Sequence, residues 1–168
     1  VSAWVAEAGD TPLFLYSADR LTGRVNELRA AMPERLAIHY AIKANSFAPV
    51  LKHMGTLVDG FDIASGGELE LALAAGLDPS RISFAGPGKR DREIARAMEL
   101  GVTLNVESEG EVDRALAHAG RTGIVPRLAV RVNPSFDLKG SGMKMGGGAK
   151  AFGVDAERVP AQIGRAHV

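Results

Sequence analysis

The sequence predicts an α/β fold that corresponds to about the first five units of a (β/α)8 TIM barrel. Predicted strands begin at Ala37, Gly60, Ile82, Thr103 and Arg127. Their spacing of about 21 to 24 residues fits one strand, one helix and two short loops. Such a repeat requires a parallel sheet with right-handed crossovers, which is either an open doubly wound sheet or a closed barrel.

The two faces of the predicted strands favour the barrel. In an open sheet helices cover both faces, whereas a barrel interior can hold polar groups at its carboxyl-terminal mouth. One face is uniformly apolar and consists of Phe61, Ile63, Ile82, Phe84, Leu104, Val106, Leu128, Val130 and Val132. The other face is small and polar and consists of Asp62, Ala64, Ser83, Ala85, Asn105, Glu107, Ala129, Arg131 and Asn133.

The region before the repeat contains a strand and a helix in this interpretation. Residues 11–16 are a short strand candidate, Ser17 caps the following helix, and Pro33 ends that helix. Since five repeats make only part of a barrel, about three strands are expected to be missing. Residues 1–162 are therefore predicted to be the N-terminal part of a barrel domain, and residues 163–168 are expected to be a non-native tail.

The helices of the repeat have recognisable start and stop signals. Pro49 opens a short helix after the first core strand. Ser65 with Glu68, and Ser108 with Glu111, form two capping boxes. A further helix is predicted over residues 91–100. The glycines expected to end helices are Gly76, Gly101 and Gly120.

Composition excludes several classes of function. Twenty basic and twenty acidic residues give a net charge of zero, so no general attraction to nucleic acid or to an anionic membrane is implied. The absence of cysteine excludes thiolate metal sites, and no histidine spacing suggests a metal. No apolar run approaches the roughly 20 residues of a membrane span, and no signal-peptide pattern is present, so a cytoplasmic location is expected.

The run Leu36–Asn45 is the most informative stretch of the chain because a hydrophobic strand ends there in one lysine, Lys43. A buried ammonium is costly unless a carboxylate, a phosphate or a covalent partner receives it. The alternative is a lysine that has left the sheet and reached solvent. His39, on the same face of the strand, is expected to be packed and hydrogen-bonded.

The polar residues at the strand ends predict a single site. Helix N-termini at Ser65, Asp91 and Ser108 open onto the same mouth and favour an anion such as phosphate. A desolvated lysine has a lowered pKa and can attack a carbonyl, which suggests pyridoxal phosphate or an aldolase-type Schiff base. The side chains expected to converge are Lys43, Asp62, Asn105, Glu107, Arg131 and Asn133.

Several ordered motifs resemble the fold-type III pyridoxal-phosphate decarboxylases of the diaminopimelate, ornithine and arginine class, most of all the diaminopimelate enzymes. They are Tyr40-Ala-Ile-Lys-Ala-Asn45, Gly60-Phe-Asp-Ile-Ala-Ser-Gly-Gly-Glu68, Gly86-Pro-Gly-Lys89, Asn105-Val-Glu-Ser108 and Arg131-Val-Asn-Pro134. The stretch 133–148 further resembles an exosortase-associated subgroup. Within that stretch, residues 140–148 are expected to form a mobile loop over the mouth.

The resemblance implies a decarboxylase of an amino acid in which Lys43 holds pyridoxal 5'-phosphate as an internal aldimine. It also implies that Asp62, Glu68 and Arg131 lie around the cofactor. A homodimer with a C-terminal β-domain is implied too, so this chain alone is expected to be inactive. Each residue has a plainer interpretation: Glu68 as a capping partner, Asp62 as a buffer for a neighbouring lysine charge, and Arg131 as an ion-pair member.

Two other functions remain open at this point. One is a non-catalytic pyridoxal-phosphate carrier of the single-barrel type, which resembles the chain at the lysine strand but fits the motif from Asp62 to Glu68 poorly. The other is an alanine-racemase-like isomerase, since racemases carry a similar lysine motif.

Overall fold

The computed structural model describes residues 1–133 and 152–165 and divides the chain into two compact units, Val1–Leu36 and Ala37–Val168. The first unit contains helices α1 (Ser2–Ala8) and α2 (Ala18–Ala31). The Ser17 hydroxyl accepts a hydrogen bond from the Arg20 amide at 3.3 Å. The cap of α2 and its end before Pro33 are thus as predicted.

The strand predicted over residues 11–16 is wrong. This segment forms no strand and has no ladder partner within the 1–36 unit, all of which the structure describes. A strand exists only when its amides and carbonyls pair with a neighbouring strand. The apolar side chains that suggested a strand stay exposed here, with Phe14 at 88%.

A five-stranded parallel sheet forms the centre of the second unit. Its strands are β1 (His39–Ala41), β2 (Gly60–Ile63), β3 (Ile82–Phe84), β4 (Thr103–Val106) and β5 (Arg127–Val130). They lie side by side in the order in which they occur along the chain. A doubly wound sheet reverses its strand order at a switch point, whereas a barrel does not. The consecutive order therefore confirms the partial barrel.

The helices between the strands are α3 (Ala48–Met54), α4 (Gly66–Ala74), α5 (Asp91–Glu99) and α6 (Glu109–Thr122). The prediction that Gly120 ends α6 is wrong, because the helix continues to Gly123. Gly123 has φ 75° and its amide donates to the Ala119 carbonyl at 2.7 Å. Glycine adopts this left-handed geometry without steric cost, so Gly123 is the actual C-cap.

The last predicted strand, over residues 127–133, divides after β5. Val132–Asn133 forms β6, which pairs in parallel with β7 (Val154–Asp155) in a separate two-stranded sheet. Helix α7 (Val159–Arg165) follows. The loop predicted over residues 140–148 lies outside the described residues.

The apolar face of the sheet is covered as predicted over β2 to β4, where Phe61 and Phe84 are fully buried. Coverage decreases at β5, whose Leu128 and Val130 are half-buried, and beyond it Val132 is 48% exposed. No helix in residues 1–133 and 152–165 is long and apolar enough to cross a membrane.

Two arginines connect loops at the amino end of the sheet. The Arg81 Nε donates to the Asp59 carbonyl at 2.7 Å. Arg127 Nη1 donates to the carbonyls of Ser80 and Gly101, each at 3.1 Å. These bonds stabilise the end of the sheet opposite to the polar residues, which leaves the carboxyl end for the site.

Candidate functional site

The candidate site is a cavity of about 350 Å³ at the mouth, by which we mean the carboxyl end of the sheet with the loops that follow β1 to β5. Its volume falls within the roughly 300 to 1,000 Å³ that small-molecule sites occupy. The residues that line it are Ala41, Lys43, Asp62, Ile63, Ala64, Glu68, Ser83, Ala85 and Asn105. Four residues predicted for the site from sequence, Lys43, Asp62, Glu68 and Asn105, therefore meet here.

Lys43 lies in a 3₁₀ turn, Ile42–Ala44, that directly follows β1. Of the two alternatives given for it, the structure shows the lysine that has left the sheet, since the strand stops at Ala41 and Lys43 is exposed. Ile42, which is fully buried, anchors the turn. The Tyr40 hydroxyl closes it by donating to the Asn45 carbonyl at 3.1 Å. The amine of Lys43 is thus accessible at the edge of the cavity while its backbone is held.

Asp62 lies on β2 with its carboxylate beside a histidine rather than a lysine. Its Oδ1 is 3.2 Å from His39 Nδ1. The side chains are 35% exposed for His39 and 50% for Asp62, so water screens this pair. His39 is hydrogen-bonded as expected, but it is more exposed than predicted. Asp62 remains available to the cavity that it lines.

Glu68 is the capping partner that the sequence predicted, and it also lines the cavity. Its amide donates to the Ser65 hydroxyl at 3.2 Å, and its Oε2 accepts from the Ala64 amide at 2.6 Å. These contacts make it the capping partner of Ser65. Because Glu68 also lines the cavity, its carboxylate is held in place at the wall of the site.

Asn105, on β4, completes the polar wall. Its side-chain amide donates to the Ser83 hydroxyl of β3, and both residues line the cavity. The pair connects two neighbouring strands across the polar face of the sheet. It therefore fixes the orientation of two groups that can donate or accept hydrogen bonds.

Arg131 is placed at the mouth but is not among the residues that line this cavity. Its Nη1 donates to Glu107 Oε2 at 3.2 Å, and the Glu107 side chain is fully buried. The Arg131 guanidinium carbon also lies 5.1 Å from the centre of the Phe152 ring. Asn133 is placed elsewhere, with its side-chain amide donating to Asp155 Oδ1 at 3.2 Å. The predicted convergence is thus divided among three clusters.

Sequence reasoning missed the most deeply buried ion pair at the mouth, Lys89 with Glu111. Lys89 Nζ lies 3.1 Å from Glu111 Oε2, and both side chains are 1% exposed. Burial lowers the pKa of Lys89 below its ordinary value of 10.5, and the charge of Glu111 partly offsets that effect. The available signals were a lysine in a turn directly after a buried strand, and a glutamate beside the inward-facing Val112.

At two of the three helix N-termini that the sequence suggested for an anion, one amide is already bonded within the chain. Gly66 N, at the start of α4, donates to Glu93 Oε1 at 2.7 Å. Glu111 N, in the first turn of α6, donates to the Ser108 hydroxyl at 3.2 Å. At these two amides the chain's own oxygens are the acceptors.

The sequence of the chain matches a known protein family. The profile described as pyridoxal-dependent decarboxylase, pyridoxal binding domain, matches residues 18–167. The chain belongs to this family. The family implies pyridoxal phosphate as the cofactor.

Relatives and solved structures in this family share the sequence and the fold. The diaminopimelate decarboxylase of Aquifex aeolicus is 42% identical over 153 residues, which cover 90% of this chain and 36% of that protein. The Neisseria meningitidis serogroup A enzyme of the same name is 42% identical over 80% of this chain and 34% of its own length. The crystal structure of Helicobacter pylori diaminopimelate decarboxylase complexed with L-lysine superposes with a TM-score of 0.86 at 33% identity, covering 96% of this chain and 42% of that chain.

The chain thus spans about a third of the length of the curated relatives that it matches. The domain that it represents is the pyridoxal-binding domain. The residues present fit the cofactor, because an accessible amine, two carboxylates and an amide line one cavity of suitable size. Among these groups only the Lys43 amine can form a covalent bond to an aldehyde.

Proposed function

We propose that this chain is the pyridoxal-phosphate-binding part of an enzyme that decarboxylates an amino acid, with Lys43 as the residue that holds the cofactor covalently. The observation that carries the proposal is the placement of Lys43 at the edge of a cavity that Asp62 and Glu68 also line. The match of the family profile to residues 18–167 supports the same activity.

The bound cofactor would supply an aldehyde for attachment and a ring that accepts the electrons left when carbon dioxide departs. Lys43 would hold the cofactor through Nζ, the nucleophilic atom of its side chain. With a substrate amine in its place, the Lys43 amine would be the group that returns a proton to the substrate carbon. The turn Ile42–Ala44 fixes the backbone of Lys43 at the edge of the cavity.

The other residues around the cavity would orient the cofactor and the substrate and favour groups of opposite charge. Asp62 and Glu68 place negative charge at the wall, which favours cationic groups such as a protonated ring nitrogen or a substrate ammonium. The Asn105 amide, held by Ser83, offers hydrogen bonds of fixed direction. We propose that Arg131, which the resemblance places near the cofactor, attracts an anionic group from the β5 side of the mouth.

The test is covalent labelling of the complete gene product with pyridoxal phosphate. We expect a yellow absorbance band that borohydride reduction fixes, and a mass increase on the peptide that contains Lys43. Lys43→Ala should abolish the label, while the matched variant Lys52→Ala, which removes an exposed lysine on α3, should retain it. Labelling of Lys43→Ala to the same extent as the native protein would exclude the proposed role of this residue.

Activity is tested separately by carbon dioxide release from candidate amino acids, beginning with diaminopimelate because the relatives act on it by name. Release that depends on both the cofactor and Lys43 would establish the decarboxylase. Covalent binding with no release from any diamino or basic amino acid would favour a carrier. A cytoplasmic location and a homodimer are further parts of this proposal, which sedimentation and cell fractionation would test.

A further inference from the structure

Lys89 is a buried charged group for which the proposed chemistry has no use. It follows the turn after β3, and only 4% of its surface is exposed. Its ammonium has three protons, and each has an acceptor: the Gly86 carbonyl at 2.6 Å, the Asn105 carbonyl at 2.8 Å and Glu111 Oε2 at 3.1 Å. Burying an ion has a large desolvation cost even when all of its hydrogen bonds are made, so stability alone is a weak explanation for Lys89. A role in positioning other residues is the alternative that its contacts suggest.

Two of the residues that accept hydrogen bonds from Lys89 also contact Glu107 at the mouth. Gly86 uses its amide to donate to Glu107 Oε1 at 2.6 Å. Glu111 uses Oε2 to accept from the Glu107 amide at 2.9 Å. Glu107 is thus held at its backbone and at one carboxylate oxygen by two groups that Lys89 itself holds.

The second oxygen of Glu107 is the one that reaches Arg131, at 3.2 Å from Nη1. The Glu107 side chain is fully buried, so this contact is screened less than a surface pair. A carboxylate fixed on one side presents its remaining oxygen in a defined direction, which orients a guanidinium more sharply than a mobile carboxylate does.

We propose that Lys89 is a positioning residue that fixes Glu107, and through Glu107 the Arg131 guanidinium, at the mouth. The series of contacts crosses from the loop after β3, over the start of α6, to the residue that follows β5. This proposal rests on the proposed function in one respect, which is the role of Arg131 in cofactor binding.

A double-mutant cycle in the complete gene product tests the coupling between Lys89 and Arg131, which do not touch. The measured quantity is the dissociation constant for pyridoxal phosphate. We expect Lys89→Met to weaken binding at least about tenfold, the usual effect of losing a hydrogen bond to a charged group. In an Arg131→Met background the same change should weaken binding less than about twofold. If the two effects multiply instead, Lys89 does not act through Arg131 and the proposal is wrong.

Amide hydrogen exchange supplies a measurement that does not depend on the cofactor. Lys89→Met should accelerate exchange at Gly86 and Glu107 at least about tenfold. The control Ile94→Ala removes a buried side chain of α5 that forms none of these hydrogen bonds, and it should leave the ratio of these two rates to those of the core strands unchanged. Unchanged exchange at Glu107 in Lys89→Met would also overturn the proposal.

The two proposals fail in different ways. If the native protein does not bind pyridoxal phosphate, the proposed function fails, and hydrogen exchange alone decides the role of Lys89. If the native protein binds the cofactor and Lys89→Met binds it equally well, only the positioning role fails. Should Lys89→Met not fold, the double variant Lys89→Met with Glu111→Gln replaces it, because it removes both buried charges together. Exchange is then followed at the Gly86 amide alone, which bonds to Glu107 and not to Glu111.

Discussion

The Glu93 carboxylate of α5 lies 2.7 Å from the Gly66 amide at the start of α4. Its other oxygen accepts from the Arg90 amide at 2.8 Å, at the start of its own helix. One side chain therefore caps two neighbouring helices. The hydrogen bond from Arg90, and to a lesser extent that from Gly66, holds the pKa of Glu93 below its ordinary value of 4.5.

This geometry predicts a pH-dependent loss of stability in Glu93→Gln. A carboxylate whose pKa is lowered by folding contributes fully above its unfolded value, and the contribution is lost as the pH falls through the lowered value. We expect the variant to be less stable by about 1 to 2 kcal/mol at pH 7, the cost of losing helix caps. Urea unfolding between pH 7 and pH 2.5 should show this difference shrinking below about pH 4.5. A difference that is constant over this range would contradict the assignment.

The effect of Gly66→Ala on stability is predicted to depend on residue 93, being destabilising with Glu93 present and stabilising without it. A Cβ at Gly66 would lie 2.8 Å from Glu93 Oε1, so alanine displaces the carboxylate from the helix end. We expect a loss of about 1 kcal/mol in the native background. In a Glu93→Ala background no carboxylate is displaced, and the same change should stabilise the chain by about 0.5 kcal/mol, since alanine favours helix. Urea midpoints of the four proteins measure both effects.

Gly123 and Gly120 form a matched pair that tests where α6 ends. Gly123→Ala places a side chain at φ 75° and should cost about 1 kcal/mol. Gly120→Ala lies inside the helix with nothing within 4 Å of the added Cβ, and it should stabilise the chain by about 0.5 to 1 kcal/mol. The change in thermal stability of each variant shows which of the two glycines ends α6. Destabilisation by Gly120→Ala would place the helix end there instead.

Asp62→Asn is predicted to weaken cofactor binding while leaving the stability of the chain nearly unchanged. The pair that Asp62 forms with His39 is well exposed, so its loss should change the unfolding free energy by less than about 0.5 kcal/mol at pH 7. Because Asp62 lines the cavity, pyridoxal phosphate should bind several-fold more weakly. His39→Gln breaks the same pair from the residue that is not in the lining, and it should have the smaller effect on binding. Equal losses of affinity in both variants would show that Asp62 acts only through its partner.

Much of the second unit could be predicted because its pattern is local. Alternation in β2, β3 and β4 depends only on which side chains face the helices, and the cap at Ser65 depends only on its neighbour Glu68. Lys43 was harder to place, since the end of β1 depends on the turn that the Tyr40 hydroxyl closes. The segment 11–16 shows the same limit, because a strand requires a partner that no local pattern reveals.

The role of Lys89 was not predictable for a related reason. A lysine in a glycine-rich turn is ordinarily solvated, and Glu111 was already explained as a capping partner of Ser108. Only the folded chain brings Lys89 to the Asn105 carbonyl and to Glu111, 22 residues away. A polar residue whose local role is evident from the sequence can therefore also have a long-range partner that the sequence does not reveal.

The consecutive order of β1 to β5 has a consequence for how the chain acquires its structure. Paired strands are close in sequence: His39 faces Gly60, Phe61 faces Ile82, Ser83 faces Thr103 and Thr103 faces Arg127. Each new strand has to close only a short loop on the strand made just before it, so the entropy lost at each step is small. The sheet is therefore suited to growth one βα unit at a time during synthesis on the ribosome, from the amino-terminal side onward.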